Sequence, residues 1–454
     1  MVFLRGLRAG ALACALLFVP ATAQAETLRS ALTSAYLNNP SIMSALLSVY
    51  SAAENIVLAK SAKLPTIGAS ATTSTGFSVG GGTSSVSDPT LSLGLSYNQN
   101  LFDSLGSDAD IEASRALAEL SRYSLQNAEQ NVLLAVVQAY MGVIRDTQLV
   151  QLRQENVKFF EAQVDSANER LKIGEGTKID VSQAQARLAQ GTAAYQAAIS
   201  SLQTSRASFE RYVGHKPSNL SGDYKVGSLL PKSVDAAVDE ALASHPAVRS
   251  AKAAIRAAQA QSESAASAFG PTLDLIGSIC AVDCLPGGGQ GVTGSLRLTL
   301  AVPIYSGGRN GANLRKANIT QIKSEVDALA ARDQIKEAVI SSWSALQSAS
   351  ASIASAETAV GAGELALSGV IEQRDVGQLT TLDVLNAQSE LTSVREGLIL
   401  ARAGRVIATF ALISATGHLT AADLGLDVPI KTGEGYISTV EDVWQELTAI
   451  DFGE

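Results

Sequence analysis

The sequence is poor in the residues from which most catalytic and metal sites are built. It holds three Cys, three His and two Trp in 454 residues, and aromatics make up only 5%. Three scattered His leave too few imidazoles for a multi-His metal centre. Three Cys are too few for a disulfide-built scaffold. Positive charge is also short. With 34 Lys and Arg against 43 Asp and Glu, the net charge is −9. That excludes a nucleic-acid binder, which meets phosphates with a basic stripe. No G-x-S-x-G, P-loop or H-E-x-x-H sequence occurs, so no enzyme activity, cofactor or catalytic residue is expected. Beyond the N-terminus no run of 18 apolar residues is found, so no transmembrane helix is expected and a β-barrel is the membrane form left open. What the chain does have is 46% hydrophobic residues, mostly Ala, Leu and Val. That is enough to bury a core, and the small side chains suit long, closely packed helices.

Residues 1–25 read as a secretory signal peptide. Arg5 and Arg8 make a basic start, a short apolar segment follows to Val19, and Ala23-Gln24-Ala25 is an A-x-A cleavage site. The mature chain then begins near Glu26, in an oxidising compartment.

Self-comparison organises the remainder. Pro40 and Pro246 lie 206 residues apart, as do Pro65 and Pro271. Further on, the offset is 203: Phe102 matches Tyr305, Gly174 matches Gly377, Asp180 matches Asp383, and Gly214-His215 matches Gly417-His418. The chain is a tandem duplication. One unit covers 26–220 with a hairpin at 65–102, the second covers 221–420 with a hairpin at 271–306, and an acidic tail covers 421–454.

Each unit has one plan. Residues 26–63 are helix-like until Pro65. Leu91, Leu93, Leu95 and Tyr97 then alternate with small polar residues, the period of a strand. Ser78 to Pro89 is a Gly- and Ser-rich loop. From Ser107 to Ile173 nothing breaks a helix, and Leu117, Leu120, Val132, Val136 and Val143 mark one face. Such a helix is about 100 Å long and needs partners along its length. Gly174-Glu175-Gly176 turns the chain, and 178–213 is helical again. Two shorter helices end to end therefore match the long one. Strands of about a dozen residues are long enough to cross a bilayer. Four of them cannot close a barrel with a lumen, and an open sheet edge is not tolerated in lipid. Closure needs several chains: two give eight strands and three give twelve. Phe77, Tyr97, Phe102, Phe269 and Tyr305 at the strand ends fit interface girdles.

The signal peptide, the duplicated helix–hairpin–long helix–helix plan and the turns Ile173-Gly174 … Ile179-Asp180-Val181 and Val376-Gly377 … Leu382-Asp383-Val384-Leu385-Asn386 resemble the TolC family of outer-membrane efflux channels over residues 26–420. The resemblance implies a mainly α fold with β strands: a homotrimer with a 12-stranded barrel in outer-membrane lipid and a long coiled-coil helical barrel across the periplasm. It implies a periplasmic adaptor and an inner-membrane transporter as partners, and a passive conduit for drugs or small molecules. The adaptor-contact turns are then Gly174, Glu175, Gly176, Gly377, Gln378 and Leu379. The family's acidic ring falls on Asp383, and a second acidic position is Asn386 here. Asp383, Asn386 and Glu390 share one helix face, with repeat mates Asp180, Gln183 and Arg187. The constriction is expected from Asp383, Asn386, Asp180, Arg374 and Glu390, with Arg374 paired to Asp180.

Cys280 and Cys284 flank three residues in the second hairpin loop, so a local disulfide is expected there. Residues 417–454 hold eight acids and one Lys, so the acidity is concentrated in the tail. Two other readings are a channel for type I protein secretion and a trimeric surface coiled coil with a structural or adhesive role. The coiled coil would need neither membrane-length strands nor a duplicated turn.

Overall fold

The computed structural model describes residues 26–87, 89–222, 229–284 and 291–440. The expected signal peptide and residues 441–454 of the tail lie outside them. The first unit opens with α1 (Leu28–Asn38) and α2 (Pro40–Ser61) rather than one continuous helix. Proline explains the break. It is tolerated at the first position of a helix, where its missing N–H has no intrahelical partner, but it drives the preceding residue out of the helical region. Asn39 serves both ends: its N–H donates to Ala35 O at 2.8 Å, and its Oδ1 accepts from Ser41 N at 2.9 Å. The second unit repeats the device with α5 (Val234–Ser244) and α6 (Pro246–Ser267), where His245 Nδ1 accepts from Ala247 N at 3.1 Å.

The long helices are α3 (Gly106–Lys172) and α7 (Arg309–Asp375), each of 67 residues. One half of α3 is lined by α4 (Lys178–Val213), and α2 and α6 lie along the other half. The end-to-end junction of the shorter helices is hydrogen-bonded. Asn39 Nδ2 donates to Tyr212 O at 3.1 Å and Ser34 Oγ to Val213 O at 3.2 Å. A helix wall this close needs small residues, and a Cβ on Gly191 would lie 2.9 Å from the Phe160 ring. By length and composition alone, α2 and α8 (Thr381–Ala415) could cross a membrane, contrary to the expectation that no such helix exists. Both are packed as wall helices, α2 on α3 and α8 on α7 and α3. The other long helix is barely covered: only Asn310 and Val339 of α7 are buried, while Ile319, Ile322, Val326 and Leu329 stand open. A 67-residue helix with such a face calls for a neighbour along its length.

Strands β1 (Thr66–Ser74), β4 (Thr90–Phe102), β5 (Thr272–Cys284) and β6 (Gly291–Ala301) form one antiparallel sheet in the order β1-β4-β5-β6. Registration sorts its faces. Leu93, Leu95 and Tyr97 stand across from Ala71, Ala69 and Ile67 on one side and Ala281, Ile279 and Gly277 on the other. Leu273 and Leu275 continue that face beside Leu300 and Leu298. The opposite face carries Ser70, Ser92, Ser96, Ser278, Ser295 and Arg297. The apolar face is exposed, as are Ser70, Ser295 and Arg297 on the polar one, and both edge strands lack a strand partner among the described residues. Inside the loop read as flexible, Phe77–Gly80 (β2) and Thr83–Val86 (β3) form a separate two-stranded sheet.

β5 also corrects the expected disulfide. It runs unbroken through Cys284, and Cys280 is free. Four residues of strand separate the two Cα atoms by about 13 Å, well beyond the roughly 7 Å limit for a disulfide. Extended pairing with β4 on one side and β6 on the other wins over a loop that would bring the two Cys together.

The first part of the acidic tail is a strap rather than a free end. Gln130 Nε2 donates to Gly417 O at 2.9 Å, and Lys431 Nζ donates to the carbonyls of Leu37 and Tyr36 at 3.0 and 3.1 Å. In α9 (Glu434–Val440), the ring of Tyr436 stacks on Tyr50 at 4.2 Å. Beneath the strap, buried Glu129 accepts the N–H of Ala421. Burial pushes its carboxyl up to about 7, and nearby Asp423 adds to the rise against the pull of Ala421 N–H and Lys431. The folded chain therefore holds this proton more tightly than the unfolded chain. The stabilisation is complete at low pH and is lost as pH rises from about 4.5 to about 7. At 1.36 kcal/mol per unit this is on the order of 3 kcal/mol. Glu129→Gln should flatten the pH dependence of thermal unfolding between pH 5 and 8, read by circular dichroism on the purified protein.

Candidate functional site at the helical tip

The two turns at the far end of the wall are built alike. After α3, Gly174 takes φ +83°, and the N–H groups of Glu175 and Gly176 close on Arg170 O at 2.9 and 3.0 Å. After α7, Gly377 takes φ +81°, and Gln378 N and Leu379 N close on Gln373 O at 2.9 and 3.4 Å. The positive φ requires glycine at both places. Glu175 and Gln378 stand exposed at the turns, and Leu379 is half-buried.

A Thr then caps each following helix. Thr177 and Asp180 form a reciprocal capping box at α4, with Asp180 Oδ2 accepting from Thr177 N at 2.9 Å and Oγ1 at 2.7 Å. Thr380 and Asp383 do the same at α8, at 2.8 and 2.7 Å. The Thr hydroxyl, followed by the Thr backbone N–H, holds each carboxyl below the usual carboxylate range. Both therefore carry full negative charge at neutral pH.

This arrangement overturns one expected pair. Asp180 turns back onto its own helix start, so it does not meet Arg374. The Arg374 side chain is only 11% exposed and lies beside α3. It pairs with Asp375 at 2.8 Å and donates to Gln163 Oε1 at 2.9 Å. Asn386 is exposed and has a partner: Arg187 Nη2 donates to its Oδ1 at 2.8 Å, joining α4 to α8. Glu390 is exposed on α8.

Further up the wall lie links between distant helices whose pairing no local sequence pattern marks. Arg153 on α3 forms an ion pair with Glu396 on α8, with both side chains at least two-thirds buried. Between the two helices lies a buried polar cluster. Gln388 Nε2 donates to Asn156 Oδ1 at 3.1 Å, and Thr392 Oγ1 lies 3.1 Å from the same oxygen. Asn156, Gln388 and Thr392 are all polar residues on otherwise apolar helix faces. That is the sequence signal that marks them. Beside Arg153 a cleft of about 360 Å³ lies between α3, α4 and α8, lined by Arg145, Asp146, Arg153 and Glu396.

Among the described residues no group of His, Cys, Asp and Glu could hold a metal ion. The tip carries the carboxylates of Asp180 and Asp383 at its helix starts and of Glu390 two turns further on.

The family model described as outer membrane efflux protein matches residues 31–215 and again residues 237–418, one match to each repeat. The chain belongs to that family. The outer membrane efflux protein BepC of Brucella suis is 38% identical over 435 residues, covering 94% of this chain and 93% of BepC. Outer membrane protein TolC of Escherichia coli is 24% identical, covering 90% of this chain and 87% of TolC. The solved Campylobacter jejuni CmeC outer membrane channel shares the fold with a TM-score of 0.77 at 16% identity, over 91% of this chain and 89% of that one. The family is one of outer-membrane channels rather than enzymes, and its members form trimers in tripartite systems. Membership places the protein in the outer membrane and makes the four-stranded sheet one third of a twelve-stranded barrel.

Proposed function

We propose that the protein is the outer-membrane channel of a tripartite export system, a passive conduit that carries drugs or small molecules from the periplasm to the outside. The observation that carries this reading is the sheet. It has one exposed apolar face, one polar face and two open edges, and it continues into helices of 67 residues. In lipid such edges must be paired, and neighbouring copies are the partners that pair them. The polar face then lines a water-filled lumen and the apolar face meets lipid. The open face of α7 is the matching contact along the helical part.

At the periplasmic end, the turns around Gly174 to Gly176 and Gly377 to Leu379 take a periplasmic adaptor, which couples the channel to an inner-membrane transporter. Three copies of Asp383, with Asp180 and Glu390 nearby, make an acidic entrance that attracts cations. Arg187, Arg153 and the Asn156 cluster hold α8 against α3 and α4 and keep the entrance narrow, and Arg374 fixes α7 to α3.

Deleting the gene should raise intracellular accumulation of a fluorescent efflux dye and sensitivity to amphiphilic drugs, with restoration by the intact gene. Unchanged accumulation together with loss of a secreted protein would replace drug efflux by type I secretion.

A further inference from the structure

The hairpin β2–β3 stands at the end of the sheet away from the helices, on the outer side once the barrel is in the membrane. It is not an extension of the barrel. Its register is offset by one residue from that of β1 and β4. It is tied on by a polar latch in which Gly76 N donates to Ser87 Oγ, Ser87 N to Gly76 O and Thr75 Oγ1 to Ser87 O, each at 2.7 Å. Its surface is unusual for a segment in water. Phe77 lies opposite Val86, and Val79 follows on the same face. These three side chains are 83%, 75% and 80% exposed. Gly80, Gly81 and Gly82 form the tip, with positive φ at the last two and no atom within 4 Å of a Cβ at any of them.

We infer that the β2–β3 hairpins of the three copies fold inward and pack their apolar faces together, closing the outer mouth of the barrel. The inference rests on the channel reading and adds a second gate to it. Dimensions favour it. Twelve strands about 4.8 Å apart and tilted by about 40° give a barrel radius of about 12 Å. Four residues of strand span about 13 Å, so a hairpin rooted at the rim reaches the axis. The side-chain-free Gly tip is what three chains meeting at one axis require. Burying Phe77, Val79 and Val86 against their counterparts removes the one apolar face the chain presents beyond the latch.

The test uses the full-length protein in intact cells. In a background with Cys280→Ser and Cys284→Ser, a short bis-maleimide should link Val79→Cys chains in pairs, giving dimers on denaturing gels. Added to the Arg153→Ala, Arg187→Ala background, in which the helical entrance no longer limits current, the triple variant Phe77→Ser, Val79→Ser, Val86→Ser should show several-fold higher single-channel conductance than that background. Monomers only, or an unchanged conductance, overturns the inference. Quenching of a Phe77→Trp variant by brominated lipid would show instead that the hairpin lies on the membrane. Heat-modifiable trimer migration and wild-type channel activity, recorded alongside, separate failure of the outer gate from failure of the channel reading.

Discussion

Arg153→Ala combined with Arg187→Ala should open the entrance, raising the conductance of the purified channel in planar bilayers several-fold. Both arginines bind α8 from the neighbouring helices, Arg153 through Glu396 and Arg187 through Asn386. Links of this kind are individually weak, at about 0.5 kcal/mol each. Two links in each of three copies sum to about 3 kcal/mol, which shifts a closed-to-open equilibrium by about a hundredfold. The buried cluster of Asn156, Gln388 and Thr392 would remain, so the helices should stay packed and the trimer folded. Asn156→Leu tests that cluster from the other side. It removes the acceptor shared by Gln388 and Thr392 in a buried site and leaves Gln388 Nε2 only the longer bond to Thr392 Oγ1 at 3.3 Å; at a cost of about 1–3 kcal/mol per chain it should lower thermal stability rather than merely widen the pore. Unchanged conductance in the arginine double variant would mean that contacts between copies, not these links, hold the tip.

Gly417→Ala should be among the most destabilising single-residue changes in the wall. Gly417 ends α8 with φ +89°, and a Cβ there would lie 3.0 Å from the Cα of His245. Two effects combine. A non-glycine residue in this region costs about 1–2 kcal/mol. The clash is with backbone at the α5–α6 joint, which cannot swing away as a side chain can. The repeat mate supplies the control. Gly214 has φ +95° but only Asn38 Cβ at 4.0 Å, so Gly214→Ala carries the strain without the clash. Chemical denaturation should place Gly417→Ala below Gly214→Ala, and both below the parent. Equal losses would show that the contact with His245 does not matter.

Much of this wall is legible in the residues. Gly174 and Gly377 mark the turns because a left-handed position has few alternatives, and Pro65 and Pro271 mark helix ends because proline removes a donor. The alternation around Leu93 and Leu95 reads as strand because one face is polar and the other is not. Where reading failed, the cause was competition between local options. The stretch 26–63 is a uniform helix former, yet Pro40 splits it once Asn39 can cap both halves. Asp180 looked free to meet Arg374, but a Thr three residues upstream claims its carboxylate first. Cys280 and Cys284 looked like a loop pair until two neighbouring strands kept them extended. Contacts such as Arg153 with Glu396 join residues 243 apart in sequence, and no local pattern carries them.

The central claim is that copies of this chain close one pore whose entrance is acidic. Reversal-potential measurements on the reconstituted wild-type trimer across a salt gradient test it directly. The account predicts discrete channels that prefer cations, with the preference reduced in Asp383→Asn. Anion preference, or the absence of channels from a folded trimer, would contradict it.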